Sequence, residues 1–201
     1  AAGTIAAGQQ NIAHMEELIR TGQETPAELQ ALASALKAAR TTVTANLFAY
    51  AEYLRLSPDL GRAIAHNEAR YASAANLSEK VPSNSRANGD NPDAFAQALR
   101  TRLAVFRAAT RVFVDSGVPV FLGTDTDIFG FAGHSAHEEL DELIAARLTP
   151  AEALAAATSA PGAFLHALGI TDRPLGVIAE GARADLMIVR NNPLETILEH
   201  G

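Results

Sequence analysis

Val118-Pro119-Val120-Phe121-Leu122 is a short apolar run closed by Gly117 and Gly123, with helical patterns on both sides of it. A continuous apolar run of that length between helices reads as a strand buried on both faces, the kind that parallel sheets use. Before it, residues 92–117 place Phe95, Leu99, Leu103, Phe106, Ala109, Val112 and Phe113 at three-to-four spacing, which predicts a long helix. Asp90 or Asn91 suits its cap, Pro92 its first turn and Gly117 the residue past its end. Thr25-Pro26-Ala27-Glu28 and Thr149-Pro150-Ala151-Glu152 are capping boxes that open two more helices, the first reaching about Arg40. Further helices are predicted over residues 137–146 and 160–168. Weaker strand signals lie at Asn11-Ile12-Ala13 and from Thr42 toward Leu47, and a clear one at residues 184–189. Strands separated by helices predict an α/β fold with parallel strands and helical crossovers. Residues 67–90 carry no period and read as a long loop.

Composition narrows the function classes. A length of 201 residues predicts one domain, or one and a fraction, and 48% hydrophobic with 19% charged residues reads as globular. No cysteine is present, so a disulfide framework, a thiolate metal site and a cysteine nucleophile are excluded. The net charge of −7 argues against a nucleic-acid partner. No apolar run reaches the roughly 18 residues of a membrane segment. The first residue is not Met and no signal-peptide pattern follows it, which predicts a start after processing or inside a longer protein.

Four side chains stand where chemistry is expected. His14 follows the strand signal at 11–13, and Asp125, in Leu122-Gly123-Thr124-Asp125-Thr126-Asp127, follows the run at 118–122. The C-terminal ends of parallel strands form the site in α/β folds. A neutral imidazole there suits zinc, and a carboxylate can bind metal and exchange protons with water. The plainer alternatives are a helix-terminal histidine and an Asx turn or helix cap. Asp127, two residues on, points the other way if the strand continues. His134 and His137 lie three apart in Gly133-His134-Ser135-Ala136-His137-Glu138-Glu139 and can share a helical face. Their order is neither of the zinc-helix patterns, so substrate contact from a loop is the reading, with Ser135 or its predecessors capping the next helix. Ser135 also approaches a nucleophile elbow but lacks the second glycine. Asn76-Leu77-Ser78 matches a glycosylation triplet, a pattern common by chance.

Gly123-Thr124-Asp125, His137-Glu138-Glu139-Leu140, the run from Leu148 through Thr149-Pro150-Ala151-Glu152 to Leu154, Ala157-Thr158, Pro161-Gly162-Ala163, Leu175-Gly176-Val177-Ile178 and Gly181-Ala182-Arg183-Ala184-Asp185-Leu186 follow one another in that order. The series resembles the C-terminal portion of the metal-dependent amidohydrolase superfamily, in its imidazolonepropionase-like and Xaa-Pro dipeptidase-like branch. It covers residues 118–199, and residues 11–17 extend it weakly to the start. The resemblance implies a hydrolase of amide, peptide or cyclic amide bonds. It also implies the C-terminal part of a (β/α)8 TIM barrel, about strands 6–8, over residues 1–172. Residues 173–201 are then a C-terminal β segment of a small β-sandwich.

By the same resemblance Asp125 is the strand-eight aspartate, both catalytic and metal-binding. His14 is the strand-six metal ligand, and His134 and His137 are substrate-binding. The cofactor implied is one or two divalent metals, zinc in most relatives. The strand-one H-x-H, the bridging group and the strand-five histidine have no counterpart here, so a chain inactive alone is expected. Its open sheet edges predict a partner, either the missing N-terminal half of the barrel or further copies in a homo-oligomer. Rival readings are a non-catalytic α/β fragment or subunit of the same ancestry without metal, and, more weakly, a serine hydrolase using Ser135.

Overall fold

The computed structural model describes residues 2–56, 92–126 and 132–196. Along them run α1 (Ala2–Ala6), β1 (Asn11–Ala13), α2 (Met15–Leu18), α3 (Pro26–Ala39), β2 (Thr42–Thr44), α4 (Leu47–Leu56), α5 (Pro92–Asp115), β3 (Val120–Phe121), α6 (His134–Ala145), α7 (Pro150–Ala157), α8 (Ser159–Ala167) and α9 (Pro193–Thr196). The loop expected over 67–90, the Asn76 triplet, the cap at Asp90 or Asn91, Asp127, His66 and His200 lie outside the described residues.

Local chemistry explains why the helices start where they do. Thr25 Oγ1 accepts from Glu28 N at 3.3 Å while Glu28 Oε2 accepts from Thr25 N at 2.7 Å. Thr149 and Glu152 repeat the exchange at 3.3 and 2.8 Å. Each box satisfies N–H groups that the first helical turn leaves open.

The strands form a parallel sheet in the order β1-β2-β3, with Ile12 opposite Val43 and Val43 opposite Val120. The chain is thus a mixed α/β fold with a small parallel sheet whose β1 and β3 are edge strands among the described residues. The long helix α5 packs on α3, α4, α6 and β3. It buries Leu99, Leu103, Phe106, Ala109 and Phe113, while Phe95 and Val112 are only half-buried. Val43 of the central strand, Leu36, Met15 and Leu143 of the surrounding helices, and Ile19 just after α2 complete the core. Among the described residues no helix is long and apolar enough to cross a membrane.

Four expectations need correction. The run at 118–122 pairs only over Val120–Phe121, and the β2 ladder closes at Thr44 instead of continuing toward Leu47. Both stop because the chain turns away within a few residues, through positive φ at Asn46 and Asp125. α6 starts at His134 rather than His137, so both histidines are in a helix and not in a loop. Of the caps expected there, Ser135 or its predecessors, the predecessor Gly133 occupies the position with φ 89°, and Ser135 lies inside the first turn. Residues 184–189 form no strand, and with them the β segment expected from residue 175 onward has no ladder. A strand exists only through hydrogen bonds to a neighbour, and the described residues offer these none. Leu186, Met187 and Ile188 are 68%, 80% and 98% exposed. This tail is nevertheless anchored at two points. α9 packs on α7, and Leu175 crosses α8 so closely that a Cβ on Gly162 would lie 2.2 Å from the Leu175 carbonyl oxygen.

Candidate active site

Three polar residues stand just beyond the C-terminal ends of the three parallel strands, each with a left-handed backbone: His14 (φ 69°) after β1, Asn46 (φ 54°) after β2 and Asp125 (φ 52°) after β3. Parallel pairing brings them to one end of the sheet, the mouth. The registers persist to this point, since His14 N donates to Thr44 O at 3.1 Å and Ala45 N to Phe121 O at 3.0 Å. Left-handed backbone outside glycine costs on the order of 1 kcal/mol per residue, and such strain concentrates at functional sites.

The mouth brings His14 and Asp125 together. His14 Nδ1 lies 3.8 Å from Asp125 Oδ2 and 3.4 Å from Glu16 Oε1. The His14 and Asp125 side chains are 37% and 28% exposed, so solvent reaches both. Glu16, in the first turn of α2, has its second oxygen Oε2 buried without a partner. Beyond it, burial first and the Glu16 charge second push the Tyr50 hydroxyl up to about 12, so it keeps its proton at neutral pH. The β3 turn is compact. A Cβ on Gly123 would sit 2.3 Å from the Thr44 methyl carbon and 3.0 Å from Asn46 Oδ1. Only glycine admits that approach.

Two buried side chains of α6 reach these turns. Ser135, 1% exposed, has its Oγ 2.6 Å from Thr126 Oγ1, which lies 2.5 Å from Thr124 Oγ1. Glu139, fully buried, accepts from the backbone N–H of Leu47 at 3.2 Å and of Phe48 at 2.5 Å. Burial pushes its carboxyl up to about 8, against the opposing pull of those two hydrogen bonds. His134 Nε2 lies 3.6 Å from Glu138 of the same helix, and His137 is exposed. Distances thus tie His14 to Asp125 directly and tie neither helix histidine to that pair.

Glu16, Asn46 and Glu139 escape a reading of the sequence. Glu16 stands two residues after His14, and an acid there reads as ordinary first-turn complementarity to the helix dipole. Asn46 lies inside the strand signal that runs from Thr42 toward Leu47, where it reads only as part of that strand. Glu139 carries a usable signal: Ser135, Glu139 and Leu143 recur every fourth residue and are the buried residues of α6. A polar pair on an apolar stripe has to find partners inside.

An imidazole nitrogen and a carboxylate oxygen at this separation are donors of the kind that zinc accepts. Among the described residues no group of three or more His, Asp or Glu is placed to hold a metal ion. The pair by itself is two donors, fewer than the three protein ligands of a catalytic zinc site. A family model described as Amidohydrolase family matches residues 4–199. No curated protein and no solved structure matches the chain.

Proposed function

The chain belongs to the amidohydrolase family, and from that premise we propose that it forms the C-terminal side of a metal-dependent hydrolase of C–N bonds. The observation that carries the reading is the meeting of His14 and Asp125, 3.8 Å apart, at the common end of parallel strands. In this proposal β1, β2 and β3 are strands six, seven and eight of a (β/α)8 barrel. Residues 173–201 belong to a small β-sandwich, where the exposed apolar side chains at 186–189 find a neighbouring strand. The open edges of the sheet receive the remaining barrel strands, which bring the further metal donors.

His14 and Asp125 would hold the divalent metal, taken to be zinc. When bound, such an ion supplies Lewis acidity toward water and the substrate carbonyl. Asp125 takes a proton from the attacking water and delivers it to the leaving nitrogen. Glu16, whose Oε1 lies 3.4 Å from the same His14 nitrogen, adds negative charge that favours a cation there. Tyr50 remains a neutral donor beside Glu16. His134 and His137 meet a peptide-like or cyclic amide substrate from the first turn of α6. The serine alternative fares worse, since Ser135 is buried and its hydroxyl contacts Thr126.

The test is reconstitution. The 201-residue chain alone should bind zinc weakly and leave a panel of dipeptides and cyclic amides intact. Joined to the other barrel strands, it should gain zinc and hydrolyse part of the panel in a chelator-sensitive way. Stoichiometric zinc and turnover in the chain alone would sink the shared-site reading.

A further inference from the structure

We propose that α6 is a clamp that locks the two turns of the mouth to each other, with Ser135 and Glu139 as positioning residues for Asp125. The two side chains are four residues apart, on the buried face of one helix. Each reaches a different strand end. Ser135 holds Thr126, which holds Thr124, so the hydroxyls straddle Asp125. Glu139 holds the N–H groups of Leu47 and Phe48, directly after Asn46.

The second contact replaces a cheaper arrangement. α4 starts at Leu47, which puts Asn46 where a helix cap belongs. Asparagine is among the best caps, its side-chain oxygen accepting from N–H groups of the first turn. Here Asn46 does not cap. Its backbone is left-handed and its side-chain Oδ1 is buried without a partner. Glu139, far along the chain, supplies the acceptors instead, and a buried carboxyl carries a desolvation penalty that a local cap avoids. Asn46, freed from capping, rests its carboxamide on Gly123, two residues before Asp125. The contacts close into a ring: Glu139 to Leu47 and Phe48, Asn46 to Gly123, Asp125 between its two threonines, and Thr126 to Ser135 on the same helix. An acceptor from α6 and an idle asparagine make one unit of two turns that a local cap would leave independent. His14 meets Asp125 at the edge of this unit, so the clamp sets where the Asp125 carboxylate stands.

The structural half of the inference is independent of the reaction; the catalytic half rests on the hydrolase reading. Amide hydrogen exchange under native conditions tests the first, using Glu139→Gln, Ser135→Ala and, as control, Glu142→Gln. Glu142 lies on the same helix but faces Arg107, at 2.6 Å. Glu139→Gln leaves one N–H without an acceptor. It should speed exchange at least tenfold over residues 46–48 and also over 122–126, which it does not touch. Ser135→Ala should likewise loosen 46–48 at a distance, and Glu142→Gln should loosen neither. Acceleration confined to the turn that each variant touches overturns the clamp. If Glu139→Gln does not fold, Ser135→Ala decides by the same criterion at Leu47 and Phe48. In the reconstituted, zinc-loaded protein, both variants should lower kcat at least tenfold with KM within twofold, and an unchanged kcat overturns the catalytic half. A wild type that hydrolyses no amide removes the hydrolase reading, while the exchange pattern still decides the clamp.

Discussion

Glu139 should give this fold a pH dependence of the sign opposite to that of an ordinary ion-paired carboxylate. Its carboxyl is raised by burial from 4.5 to about 8. Between those values the folded chain holds a proton that the unfolded chain has released. Stability from this group is therefore fully present below about 4.5 and is lost as pH rises through about 8. With about 1.4 kcal/mol for each tenfold difference in proton affinity, the loss between pH 5 and pH 8 comes to about 3 kcal/mol. Glu142, raised chiefly by burial, acts with the same sign. Glu152, lowered to about 2 chiefly by the Arg111 hydrogen bond, acts with the other sign, and only below 4.5. The two windows do not overlap. Urea unfolding at pH 5, 6, 7 and 8 reads the effect: at about 2 kcal/mol per molar, the wild-type midpoint should fall by about 1.5 M across the series. Glu139→Gln cannot titrate, so its midpoint should move much less, with Glu142 still acting in the same direction. A wild type equally stable at pH 5 and pH 8, or a Gln variant with the same slope, refutes the reasoning.

Two further outcomes are expected. Gly162→Ala drives a methyl against the Leu175 carbonyl, 2.2 Å away; overpacking of about 2 kcal/mol should lower Tm by about 5 °C and expose the tail after residue 170 to protease, and an unchanged Tm with an unchanged cleavage pattern counts against the close crossing. Asp125→Asn in the reconstituted hydrolase should lose at least about a hundredfold in kcat with the fold retained, because the amide cannot exchange the proton; near-normal turnover would remove Asp125 from the chemistry.

What the sequence determines alone is whatever rests on neighbours three or four residues apart. The capping boxes at Thr25 and Thr149, the apolar stripe of α5 and the end of α3 near Arg40 all depend on such spacing, and all are present. The parallel order of β1, β2 and β3 follows from strands separated by helices, and the motifs downstream of Gly123 point to the family. The strand expected at 184–189 shows the limit, because apolar alternation supplies only half of a ladder and the other half has to come from another segment. The active-site end shows it more sharply. Glu139 and Leu47 are 92 residues apart in the chain, and no local pattern says that a helix will be capped from that distance. Once Glu139 is inside, its acceptors have to meet N–H groups, and Asn46 loses the role its position suggests. Tertiary packing decided which polar groups were enclosed together. That enclosure sets the raised carboxyl of Glu139, the idle carboxamide of Asn46 and the 3.8 Å between His14 and Asp125.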